Sequence, residues 1–146
     1  MTLTGMEILK PVAVLAAWTM VMWVWMYATR IPAMKQAGID TASLTGGDGK
    51  SLDGVLPKEV QWKAHNYNHL HEAPTVFYAV ALLLAIIGWG SGLNATIAWA
   101  YVGLRIVHSL VQVITNRVIV RFSLFALSTL CLMALVLHSL IAVFHG

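Results

Sequence analysis

Four apolar runs, each close to the ~20 residues that carry a helix across the hydrocarbon core of a bilayer, take up most of this 146-residue chain. Lipid offers peptide groups no hydrogen-bonding partner, so runs of this length cross it as helices. They are read at residues 9–28, 59–89, 94–115 and 118–144; in the second, the apolar stretch follows Glu72. Charged residues make up 10% of the chain, against roughly 25% in a soluble domain, which excludes a water-soluble fold. The expectation is one all-α membrane domain over residues 1–146, a multi-pass four-helix bundle in contact with membrane lipid. The first run is expected to be retained rather than cleaved as a signal peptide. Lys10 is its only nearby positive charge, and no small-x-small site follows at Met26–Arg30.

Charge is distributed by loop. Arg30, Lys35, Lys50 and Lys58 lie between the first two runs, Lys63 begins the second, and Arg117 and Arg121 flank the turn between the last two. The Gly88–Gly92 connection carries no charge. By the positive-inside rule, loop 30–58 and the turn near Arg117 are cytoplasmic and both termini lie on the other side. Trp89, Trp99 and Tyr101 are expected at the outer interface and Trp62 at the inner one. The net charge of +3 therefore marks membrane boundaries, and with no basic-aromatic patch it does not predict a nucleic-acid partner. The single cysteine, Cys131, excludes an internal disulfide and a Cys-based zinc site. The loop centre Thr45–Lys50 is a flexible connector that lacks the phosphate-loop pattern.

Two ionisable residues interrupt the apolar runs, Glu72 and Arg105. A charged side chain at membrane depth costs roughly 2.5–3.5 kcal/mol on insertion scales, so each is expected to face a partner or a wet cavity. Polar residues fall in helical register with both. Gln61, His65, Asn68, Glu72 and Thr75 are spaced by three or four residues, as are Tyr101, Arg105, His108, Gln112 and Thr115. Each set forms one helical face. Two such stripes in consecutive spans predict that they face one another across a crevice. Its cytoplasmic mouth gathers Arg30, Lys63, Arg117 and Arg121, a basic setting suited to an anionic polar ligand. The plainer alternative is an internal staple of interhelical polar contacts worth about 0.6–2 kcal/mol each.

The stretches Lys63-Ala-His65-Asn-Tyr-Asn68-His-Leu-His-Glu72-Ala-Pro74 and Arg105-Ile-Val-His108-Ser, with Arg117 and Arg121 downstream, resemble segments of the MAPEG family, the membrane-associated proteins in eicosanoid and glutathione metabolism. The similarity extends over the length and the four-span order and points to a divergent, bacterial-type member, which implies a bacterial inner membrane as its location. It implies a homotrimer with glutathione bound between subunits near the cytoplasmic side. Carried over by position, it nominates Asn68, Glu72, Arg105 and His108, with Arg30 at the end of the first span. His65 and Gln112, in register on the stripes, complete the expected glutathione-binding set. Arg121 and then Arg117 are the residues expected to stabilise the thiolate, and no residue is assigned to a metal. Three departures stand out. Lys63 replaces an arginine, Gln112 replaces a tyrosine, and the family's Asn-x-x-Glu reads as Asn68-x-x-x-Glu72.

On the resemblance, the activity implied is a glutathione-dependent transferase or peroxidase in which the thiolate attacks a lipophilic small molecule arriving from the bilayer. Two other classes stand beside it. One is a non-catalytic membrane subunit that keeps the scaffold and associates with other membrane subunits. The other is a metal or haem carrier built on His65, His69 and Glu72, with His108 approaching from the next span.

Overall fold

In the computed structural model, residues 4–145 are described. Helix α1 spans Leu9–Gln36, α2 Lys58–His69, α3 Ala73–Ile86, α4 Leu93–Ile114 and α5 Val118–His145, with a short 3₁₀ turn at Gly49–Leu52. No strand occurs among the described residues. Counting α2 and α3 as one, four helical stretches are long and apolar enough to cross a membrane. The first helix is longer than its apolar run: α1 continues through Pro32 to Gln36.

The second stretch departs from the continuous helix expected over residues 59–89. Its helical hydrogen bonding lapses at Leu70–Glu72, between α2 and α3. Pro74 sits in the first turn of α3. It has no N–H to give the carbonyl of Leu70, and its ring crowds that carbonyl, so the helix must stop and restart. Side chains occupy two carbonyls of the break: His71 Nδ1 lies 2.9 Å from the Tyr67 carbonyl, and the Thr75 hydroxyl donates to His71 O at 2.6 Å. Exposed backbone polar groups are costly at membrane depth, which is why such a break needs these local partners.

Helix α4 is the central element, touching α1, α2 and α5. Around it Leu15, Met22, Leu70, Phe77, Leu84, Val102 and Leu135 form the core. Tyr101, expected at the outer interface, is instead buried and stacks on Phe77 with ring centroids 4.5 Å apart. Trp89 and Trp99 are exposed. The outer surface is apolar, with Ile86, Val118, Phe122 and Phe144 all largely exposed, as lipid-facing helices require.

The two ends of the bundle differ in kind. At one, the Ile8 N–H donates to the Gly90 carbonyl at 2.8 Å, so the start of α1 is clasped to the α3–α4 turn. A Cβ on Gly90 would collide with Gly5 O and come within 2.6 Å of Ile8 Cγ2; only glycine allows this approach. Asn94 ties the same end together, donating to Trp89 O at 2.8 Å and pairing through Oδ1 with His138 Nδ1 at 2.6 Å. The opposite end holds the polar connection between α1 and α2 and the short turn into α5, and one cavity there is lined by both Asp53 and Asn116. The basic segments thus share one end.

Candidate functional site

The polar stripe of α4 lies inside the bundle. Tyr101, Arg105, His108 and Gln112 are all buried, in the order their spacing gives. Arg105 is 1% exposed, and its Nε and Nη1 have no hydrogen-bond partner among the described residues; the same holds for Tyr101 Oη and Gln112 Oε1. A buried guanidinium without an acceptor is among the most costly arrangements a bundle can carry.

The stripe of α2 does not answer it. His65, Asn68 and Glu72 are exposed, because α2 packs against α1 and α4 through its other side, the one carrying Lys63, Asn66 and Leu70. The crevice expected between the two stripes is therefore not formed within one subunit. Glu72 pairs with His69 (Nδ1 to Oε2, 2.8 Å), and no carboxylate is within ion-pair distance of Arg105 among the described residues. The link between α2 and α4 is made by residues outside the expected stripe. Asn66 Nδ2 donates to the buried Ser109 hydroxyl at 2.6 Å, and the His69 ring meets the His108 ring edge-on at 5.1 Å.

Arg30, His65 and Asn68 line one cavity and His108 and Arg121 another, while Glu72 and Arg105 line neither. One, of about 280 Å³, lies between the end of α1, the 3₁₀ turn and α2, and is lined by Arg30, Lys50, Asp48, Asp53, His65, Tyr67 and Asn68 among others. Its wall is built by the connecting segment folding back on α2. Arg30 Nη2 donates to Gly49 O at 2.8 Å, His65 Nε2 lies 3.3 Å from Asp53 Oδ1, and Gln61 Nε2 bonds the Leu52 carbonyl. Asp48 shapes the turn by accepting from the Lys50 and Ser51 amides at 3.1 and 3.2 Å. Lys63, standing where an arginine is usual, turns to α1, with Nζ bonded to Glu59 O and 5.6 Å from the Trp25 ring centroid.

The other cavity, of about 240 Å³, is lined by His69, His108, Arg121, Val118, Phe122 and Phe125. Arg121 is fixed from the turn before α5, where it bonds Asn116 Oδ1; its Nε is buried without a partner. Asn116 has φ of 50°, a left-handed conformation that asparagine tolerates, and its N–H closes α4 on Val111 O at 2.7 Å. Arg117 is exposed and lines neither cavity, and Gln112 is buried away from both.

Sequence reasoning missed Asn66, Phe125 and Asn116, and gave His69 only to the metal alternative. The available signal was the spacing His69-x-x-Glu72. A three-residue step puts two side chains on one helical side, where His69 and Glu72 pair. Among the described residues, no three His, Cys, Asp or Glu side chains converge as a metal site.

No curated protein and no solved structure is significantly similar to the chain. The MAPEG family model, however, matches residues 8–141, nearly the whole length. The chain belongs to the MAPEG family, and with its four membrane-length helical stretches it is an integral multi-pass membrane protein.

Proposed function

We propose that this MAPEG protein is a glutathione-dependent transferase or peroxidase acting on lipophilic electrophiles, and that it works as a homotrimer with glutathione held between subunits. The observation that carries the reading is the placement of Arg30, with His65 and Asn68, in one cavity and of Arg121, with His108, in another, beside a buried Arg105 that has no carboxylate partner among the described residues. One cavity belongs to α1, α2 and the segment between them, the other mainly to α5, with His108 of α4 and His69 of α2 at its edge. In a closed ring each subunit presents one face to the unlike face of its neighbour, so two unlike half-sites are brought together at every interface. Arg30, His65 and Asn68 would then come from one subunit and His108 and Arg121 from the next.

The division suits a tripeptide thiol. Guanidiniums hold its carboxylates, and Arg121 favours the thiolate over the thiol through its charge. Phe122 and Phe125, beside the lipid-facing surface, offer the apolar wall along which an electrophile enters from the bilayer. Both basic segments are cytoplasmic on this reading, where glutathione is supplied.

The test uses the full chain purified in mild detergent. Reduced glutathione is expected to raise the melting temperature in a concentration-dependent way, the protein is expected to migrate as a trimer, and a hydrophobic aryl halide is expected to be conjugated. No thermal shift at millimolar glutathione would remove the reading. A shift with no conjugation of any lipophilic electrophile would instead favour a scaffold that retains the ligand without the reaction.

A further inference from the structure

The cavity beside Arg121 contains an imidazole with one nitrogen engaged and the other free. His69 Nδ1 lies 2.8 Å from Glu72 Oε2, while the ring is held flat against Phe125 (5.9 Å, 26° between planes) and edge-on to His108 at 5.1 Å. An ionised carboxylate only accepts, so Nδ1 carries the hydrogen and the lone pair of the neutral ring resides on Nε2. Nε2 has no hydrogen-bond partner among the described residues. The pair also straddles two environments. The Glu72 side chain is 69% exposed, whereas that of His69 is 21% exposed and lines the cavity. A surface staple would have both members in solvent.

A thiol with a pKa near 8.5 is mostly protonated at neutral pH. Arg121 stabilises the anion but has no acceptor atom, so something else must take the proton. His108, also in the cavity, is buried and has no carboxylate to orient it among the described residues. Resting on the glutathione reading above, we propose that His69 is the general base that deprotonates the bound thiol, with Glu72 as the positioning residue that fixes its tautomer. The S–H bond breaks, its proton passes to Nε2, and the electron pair stays on sulfur. With an aryl chloride the sulfur then bonds the ring carbon, chloride leaves with the former C–Cl pair, and the imidazolium returns its proton to water.

The experiment follows thiolate formation by its ultraviolet absorbance when reduced glutathione is mixed with the detergent-solubilised protein, alongside conjugation of a chlorodinitrobenzene. His69→Gln is expected to keep the glutathione-induced thermal shift while losing the thiolate signal and on the order of 100-fold in kcat. Glu72→Gln is expected to lower kcat with KM for glutathione unchanged, and added imidazole is expected to restore part of the rate to His69→Ala. In the unmutated protein with nitrogen-labelled histidine, glutathione is expected to convert one neutral ring to imidazolium. Wild-type thiolate amplitude and kcat in His69→Gln, or no ring protonation in the unmutated protein, would overturn the assignment while leaving glutathione binding intact. Failure of the unmutated protein to bind glutathione would overturn both.

Discussion

Helices α2 and α4 carry polar stripes of nearly the same spacing, yet one lies inside the bundle and the other outside. On α4, Arg105, His108 and Gln112 are buried among three neighbouring helices; in the second span, His65, Asn68 and Glu72 are exposed, and only Gln61 of that stripe is buried, bonded to the connecting segment. Helical periodicity specifies that residues share a side and says nothing about what covers that side. Inside lipid the uncertainty is greater, because apolar surface gains little from choosing a protein neighbour over acyl chains, and packing and polar contacts decide. The outward stripe of α2 is therefore either exposed for the life of the protein or covered by another subunit.

Four measurements sharpen or break this contrast. The largest effect is expected at Arg105. Arg105→Met should cost glutathione about 2–5 kcal/mol of binding, while the ligand-free melting temperature does not fall, since the variant removes a buried charge that no neighbour compensates. An unchanged glutathione response would reduce the α4 stripe to an internal structural feature. Next is the opposite cavity: Arg30→Met should weaken glutathione by about 1.5–3 kcal/mol, the range for a hydrogen bond to a charged group. Normal binding in that variant would mean that the α1–α2 cavity is no part of the site.

The α2–α4 contact itself comes third. Asn66→Ala should destabilise the protein by about 1 kcal/mol through loss of the buried bond to Ser109, measured by denaturation in mixed micelles, and a double-mutant cycle with Ser109→Ala should recover most of that coupling. Additive losses would show that the two side chains do not act together. The smallest effect belongs to the outer stripe, where His65→Gln removes only a half-exposed pairing with Asp53 and should change stability by less than about 1 kcal/mol. A larger loss would place His65 in a buried interface.

Much of this architecture was legible in the residues. Apolar run lengths located the helical stretches, and the spacing of Tyr101, Arg105, His108 and Gln112 showed that they share one face of α4, which the bundle buries. Pro74 was visible too, but its consequence was not read: a proline early in a run forces a restart, so the 59–89 segment became two helices. Asn66 escaped notice because a single polar residue off a stripe has no periodic partner, and its significance appears only when Ser109 arrives from 43 positions away. His69 was set aside for a related reason. It departs from the Asn68 side of the helix, and only the pairing with Glu72 and the contact with His108 show where it belongs.

The chain by itself determined that it must live in a bilayer as helices, where its charges cluster along its length, and which side chains share a helical side, because these follow from local periodicity and the cost of unpaired peptide groups in hydrocarbon. Only the packed bundle decided which of those sides is enclosed, that Glu72 is committed to His69 rather than to Arg105, and that Arg30 and Arg121 line separate cavities. Those outcomes depend on helix rotation and neighbour choice, which are set by a few contacts between residues remote in sequence, and no stretch of a single helix encodes its own partner.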